Sequence, residues 1–310
     1  MKIGQVVGLT MVGLVAASGA FVGVRYGQDM QAARARLAAG SRMIETACGR
    51  VEYGESGSGK PVLVVHGAGG GYDQGLTLGE FMLGDGYRII APSRFGYANG
   101  PVLGDGSLEA QADAYACLLD ALGIDEPVPV IVFSAGGSSG LTFAVRHADR
   151  TKKLVMAAAF SGAPEMVSEQ QESSINMAIG GSFVYWLVNE TIQPLLLEVL
   201  GIPRDVQASF DAGTRADIQR VMDEMHPMGL RMPGIELDQT RWVPVELAGE
   251  VSAPTLVVHC EDDGLILLDQ GQHTHDSIAG SRLVTYPSGG HFFAGRLDAV
   301  QAEVLAFLAE

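Results

Sequence analysis

Basic residues are scarce in this chain. Twenty lysines and arginines stand against 36 aspartates and glutamates, a formal net charge of −16 over 310 residues. Nucleic acid is a dense polyanion that selects basic faces, so this balance argues against it as a partner. Cysteine is scarcer still. Cys48, Cys117 and Cys260 are an odd number and contain no C-x-x-C pair. That pattern argues against a zinc ribbon and against a disulfide framework, and leaves three small buried apolar side chains as the expectation. The G-K-[ST] of a phosphate loop is missing, and no pattern calls for a metal or an organic cofactor. With 47% hydrophobic and 18% charged residues the chain is globular. Its length suits one large domain with an insertion, or two small ones.

Charge is absent altogether from residues 3–24, "IGQVVGLTMVGLVAASGAFVGV". Twenty-two uncharged residues can cross a bilayer as a helix. The expectation is a single N-terminal membrane anchor, with a cleaved signal peptide ending near "ASGA" as the rival. Arg25, Arg34 and Arg36 outweigh Lys2, which would place the main domain on the cytoplasmic side. Residues 26–47, rich in alanine and arginine, read as a short helical stalk.

Beyond it, short apolar runs alternate with helical patterns. The runs are 50–56, 61–67, 87–93, 129–133, 153–160, 254–259 and 282–287. Most are continuous rather than alternating, as in strands buried on both faces of a parallel sheet. Between them, Ser107 caps a helix with Leu108, Ala112, Tyr115, Leu119 and Leu122 on one face, stopped at Gly123. The fold class is therefore α/β. No strong strand appears from 161 to 245, which reads as a helical insertion. The expected organisation is an anchor and stalk over 1–45, a core over 46–160 and 246–310, and a helical cap over 161–245. Aromatic and methionine side chains in that cap (Tyr185, Trp186, Met225, Met228) are expected to pack, with some lining a pocket.

"VIVFSAGGSSG" at 130–140 offers three serines. A literal search for G-x-S-x-G selects Ser138. Ligands in open α/β sheets bind at the C-terminal ends of strands, and Ser134 directly follows the 129–133 run. Ser138 lies about one helical turn further on. A sharp strand-to-helix turn would expose Ser134 at its apex, and Ala135, Gly136 and Gly137 are small enough to allow it.

"VFSAGG" followed by "LTFAVRHADRTKKLVM" resembles the nucleophile elbow, helix and next strand of the α/β-hydrolase fold family. The family commonly shows G-x-S-x-G-G and then R-H-P-x-R, which falls in register here only with Ser134 as nucleophile. One departure is Val132, where the family has its first glycine. The resemblance spans residues 46–310 and implies a mostly parallel sheet with helices on both faces and a helical cap.

It also implies a triad in the order Ser, Asp, His. "HCEDDG" at 259–264 is similar to the family's H-G-x-x-D-P and points by register to Asp263, with Asp262 as runner-up. "SGGHFF" at 288–293 supplies His291 as base. The remaining histidines have ordinary readings: His147 at a helix end, His259 structural beside the acid, and His226, His273 and His275 on the surface or the cap. "HGAGGGYDQG" at 66–75 resembles the family's H-G-x-G-G loop. It implies an oxyanion hole formed by the Ala68 and Ala135 N–H groups, with Gly67 and Gly69 letting backbone approach substrate. "APSRFGYANGP" at 91–101 brings Arg94 and Tyr97, which frame the pocket mouth or simply hold the loop; Tyr97 is taken as the substrate contact.

The activity implied is hydrolysis of a small to medium, fairly apolar carboxylic ester through an acyl-enzyme. Lactonase, C–C bond hydrolase, amidase-type peptidase or cofactor-free perhydrolase chemistry is the alternative within the fold. A small-molecule binding protein with slow or no turnover is the alternative outside catalysis.

Overall fold

The computed structural model describes residues 3–162 and 180–310. In chain order the elements are α1 (Ile3–Gly40), β1 (Arg42–Thr46), β2 (Gly49–Gly57), β3 (Lys60–Val65), α2 (Tyr72–Leu83), β4 (Tyr87–Pro92) and α3 (Leu108–Ala121). They continue as β5 (Val128–Phe133), α4 (Gly136–Arg146), β6 (Thr151–Ala157), α5 (Ser182–Val199), α6 (Arg204–Ala208), α7 (Ala212–Glu224) and α8 (Met232–Asp238). The chain closes with β7 (Thr255–Cys260), α9 (Leu268–Ser277), β8 (Arg282–Tyr286) and α10 (Leu297–Ala309).

The eight strands form one sheet in the order β1-β2-β4-β3-β5-β6-β7-β8. The β1–β2 and β2–β4 pairs are antiparallel, and every pair from β4 to β8 is parallel. The continuous apolar runs follow from burial on both faces. On β3, Val62 and Val64 pack with Leu78 and Met82 of α2 and Val300, Val304 and Phe307 of α10. Leu63 and Val65 point the other way, into a second core with Tyr115 and Leu119 of α3 and Leu141 and Phe143 of α4. Strand period two thus divides each run between two helical layers. The reading of the fold as α/β, with helices on both faces of a mostly parallel sheet, is what the structure shows. Among the described residues, the stretch between β6 and β7 contains helices and no strand.

Two expectations are corrected. Among the described residues, no helix is long and apolar enough to cross a membrane, which overturns the anchor over 3–24 and the orientation drawn from it. The C-terminal half of α1 is not a free stalk but lies along the protein, burying Met30, Ala33 and Leu37. Asp29 accepts from Trp186 Nε1 of α5 at 2.9 Å. Arg36 Nη2 donates to the carbonyls of Asp223 (2.8 Å) and His226 (3.0 Å). The predicted stalk also ends early, because residues 42–46 pair as an edge strand.

The second correction concerns the cysteines. Cys48, in the β1–β2 turn, and Cys117, in α3, form a disulfide across 69 residues of sequence. Cys260 alone is the buried free thiol that was expected. Parity and spacing could not reveal a pair whose proximity depends on α3 packing beneath the edge hairpin.

Candidate active site

β5 ends at Phe133, and Ser134 follows with φ of 53°, a left-handed conformation that an L-residue adopts only when its surroundings enforce it. Its N–H donates to Ala157 O at 3.3 Å, and its carbonyl accepts from Gly137 N and Phe160 N, both at 2.9 Å. The backbone is tied on both sides, leaving the side chain at the apex. The glycines that follow are steric necessities. A methyl on Gly136 would lie 2.5 Å from His66 O, and one on Gly137 would lie 2.0 Å from Phe160 O. The Val132 departure has a local answer as well. A methyl on Gly140 would sit 2.1 Å from Val132 Cγ1, so the helix supplies the space that the strand lacks. The literal G-x-S-x-G match therefore includes a packing glycine. Ser138 lies within the first turn of α4, where its carbonyl accepts from Thr142 Oγ1.

The three residues chosen from sequence come together. His291 Nε2 is 2.9 Å from Ser134 Oγ, and its Nδ1 is 2.8 Å from Asp263 Oδ2. A carboxylate can only accept, so Nδ1 carries the proton and Nε2 accepts from the serine hydroxyl. Asp263 Oδ1 accepts from the N–H groups of Leu265 (2.8 Å) and Ile266 (3.0 Å), which fixes the carboxylate plane. All three side chains are buried. Asp262 points elsewhere and accepts from Gly289 N and Gly290 N, bracing the loop that carries His291. His259 donates from Nε2 to Ile266 O at 2.7 Å, and burial holds its basicity down.

The 66–71 loop abuts this group. A methyl on Gly67 would fall 2.8 Å from Ser134 Cβ, so only glycine permits the approach. Arg94 N–H donates to His66 Nε2 at 2.9 Å, which places the imidazole proton on Nδ1, 2.7 Å from Gly67 O. Burial, first, and the neighbouring Arg94 charge push His66 well below the usual histidine range, so the ring stays neutral. The N–H groups of Ala68 and Ala135 make no hydrogen bond among the described residues. Gly69 has φ of +72°, and a methyl there would lie 2.6 Å from Met225 Cε.

Tyr97, expected at the substrate, is fully buried with its hydroxyl donating to Asp238 Oδ2 at 2.6 Å. Arg94 pairs with the same carboxylate. The 91–101 loop is thus tied to α8. Two residues went unremarked in the sequence. Gln74 Oε1 accepts from Gly67 N at 3.0 Å. Arg231 Nη1 donates to Gly70 O at 2.9 Å. Gln74 lay within the quoted glycine-rich motif; no sequence signal marked Arg231, which is 161 positions from its acceptor.

Comparison with known proteins bears on the fold. The family model described as alpha/beta hydrolase fold matches residues 60–202. An uncharacterized hydrolase of Bacillus subtilis (strain 168) is 27% identical over 266 residues, 81% of this chain and 92% of that protein. The 2-hydroxy-6-oxo-6-phenylhexa-2,4-dienoate hydrolase of Burkholderia cepacia is 26% identical over 271 residues, 84% and 91% of the two chains. Among solved structures, an alpha/beta hydrolase fold protein from Nakamurella multipartita superposes with a TM-score of 0.72 at 28% identity, covering 86% of this chain and 98% of the other. A thermophilic esterase from Thermogutta terrifontis, at 20% identity and a TM-score of 0.63 over 85% and 96% of the chains, shares the fold. With its eight-stranded sheet, its serine at the strand-to-helix turn and these relatives, the chain has the α/β-hydrolase fold.

Proposed function

We propose that this hydrolase cleaves a small to medium, uncharged and fairly apolar carboxylic ester through an acyl-enzyme. The observation that carries the reading is the continuous Ser134–His291–Asp263 hydrogen-bond chain, with contacts of 2.9 and 2.8 Å. In this reading His291 Nε2 takes the Ser134 proton as Oγ attacks the acyl carbon. Asp263 holds the imidazole tautomer and offsets its charge. The Ala68 and Ala135 N–H groups receive the developing oxyanion. As the tetrahedral intermediate collapses, His291 returns the proton to the departing alcohol. Water, activated by the same imidazole, then releases the acid and restores Ser134.

C–C bond hydrolysis is the second reading, favoured by the name of the Burkholderia cepacia relative. A dienoate carries a carboxylate, which calls for a cation at the site. Here both arginines bonded to the loops around Ser134 are already committed, Arg94 to Asp238 and Arg231 to Asp73. Residues 163–179 contain no lysine, arginine or histidine. This favours an uncharged substrate.

The test is hydrolysis of p-nitrophenyl acetate, butyrate and octanoate, beside a 2-hydroxy-6-oxo-dienoate, by wild type, Ser134→Ala and Ser138→Ala. Ester turnover reduced at least about 10⁴-fold in Ser134→Ala alone supports the proposal. Loss only in Ser138→Ala refutes the choice of serine. Turnover of the dienoate alone favours the second reading, and no turnover of either by folded protein favours a binding role.

A further inference from the structure

The 66–71 loop must hold Ala68 N–H in place, yet four of its six residues are glycine. Such a segment has wide conformational freedom, and freedom here would blur the oxyanion site. Four restraints come from nearby sequence: Gly67 N to Gln74 Oε1, Gly70 N to Gly67 O, the His66 Nδ1 contact with Gly67 O, and Gly75 N to Gly71 O. The last ties the end of the loop to α2. The Gly70 carbonyl is gripped instead from the β6–β7 helical segment.

Arg231, between α7 and α8, is fully buried. Its Nη1 donates to Gly70 O at 2.9 Å. Its Nη2 donates to Asp73 Oδ2 (2.7 Å) in the first turn of α2 and to Glu224 O (2.8 Å) at the end of α7. Nε has no partner among the described residues, so the side chain is held by its two terminal nitrogens. A methyl on Gly71 would lie 2.1 Å from Nη1, so the loop is shaped around the guanidinium. Met225 and Met228 of the same segment close over Gly69. A lysine offers one nitrogen where three acceptors on three elements must be met at a fixed spacing.

We infer that Arg231 is a positioning residue: by clamping Gly70 O to α2 and α7 it holds the glycine loop so that Ala68 N–H faces the oxyanion. The inference rests on the acyl-transfer reading above. It makes the helical segment between β6 and β7 a structural part of the oxyanion hole as well as a cover. Asp73 is the charge partner that lets the guanidinium be buried, and removing Asp73 alone leaves that charge uncompensated, whereas Asp73 without Arg231 keeps Arg36 Nη2 at 4.0 Å.

The test compares wild type with Arg231→Lys, Arg231→Ala and the charge-neutral pair Arg231→Met with Asp73→Asn. Thermal melts establish the folded fraction. The kinetic readouts are kcat and KM on p-nitrophenyl butyrate and the inhibition constant of an alkyl boronic acid. The boronate forms a tetrahedral adduct on serine and so reports oxyanion binding separately from substrate binding. Expected is a loss of about 10- to 100-fold in kcat with KM changed less than about threefold, and a parallel loss in boronate affinity. Millimolar guanidinium should restore part of the activity of Arg231→Ala. Folded variants with kcat and boronate affinity within twofold of wild type would overturn the inference, as would a loss confined to KM. Variants that melt below the assay temperature, including the charge-neutral pair, with guanidinium giving no recovery, would overturn it too, since Arg231 would then only stabilise the fold. Absence of boronate binding and ester turnover in wild type would instead remove the acyl-transfer reading itself.

Discussion

Replacing Gly140 by alanine should damage this protein, although the same change in most helix interiors stabilises by about 1 kcal/mol. The new methyl would lie 2.1 Å from Val132 Cγ1 and 3.1 Å from its Cβ. Rotating χ1 cannot relieve both contacts, because the Cβ is itself too close and a β-branched side chain has few rotamers. Helix α4 or strand β5 must therefore move apart. Overpacking of this kind costs about 1–3 kcal/mol, which leaves a net destabilisation of about 0–2 kcal/mol after the helix gain. The effect on rate should be larger than the effect on stability. Val132 is two residues from Ser134, and a displacement near 1 Å at the nucleophile costs about 100-fold. The expectation for Gly140→Ala is a kcat on p-nitrophenyl butyrate reduced about 10- to 100-fold with only a few degrees lost in Tm. Val132→Ala alone should lose about 1–3 kcal/mol through the vacated space. Combined with Gly140→Ala, it should regain most of the lost rate, with a coupling of about 1 kcal/mol or more in stability. Additive effects in this cycle, or a Gly140→Ala enzyme as active as wild type, would refute the account of how Val132 is tolerated beneath the elbow.

Two further outcomes follow from other parts of the molecule. Burial raises the Glu224 carboxyl from the ordinary 4.5 to about 7, only partly offset by the Thr77 hydrogen bond. The folded state thus binds this proton more tightly than the unfolded chain. Its contribution is full below about pH 4.5 and is lost as pH rises through about 7. Glu224→Gln should therefore match wild type in urea denaturation at pH 5 and exceed it at pH 8 by up to about 3 kcal/mol; a pH-independent difference would contradict this. The Cys48–Cys117 bridge closes a long loop at the sheet edge opposite β8. Replacing both cysteines by serine should cost about 2–5 kcal/mol in denaturant titrations and leave kcat within about twofold; a large loss of kcat would show that the edge hairpin communicates with the site.

Much of this molecule was legible in one dimension. Seven of the eight strands announce themselves, β2 by alternation and the other six as short apolar runs, most of them buried on both faces and so needing no polar positions. Asp263 and His291 were chosen from the resemblance to the family's motifs, and Ser134 over Ser138 from that register together with the rule that ligands bind at a strand's C-terminal end. The structure brings the three chosen side chains within hydrogen-bond distance. Four features were decided only by tertiary packing. Asp262 and Asp263 are adjacent in sequence, and only the placement of the 288–291 loop gives one the histidine and the other two backbone amides. Cys48 and Cys117 are distant until α3 docks on the edge hairpin. The 3–24 run looked like a membrane segment because composition is local, whereas the later part of α1 is placed by what Met30, Ala33 and Leu37 meet. Arg231 carried no motif, because a guanidinium gripping a carbonyl 161 residues away leaves no periodic or local trace; its role exists only when three separate elements bring their acceptors to one point.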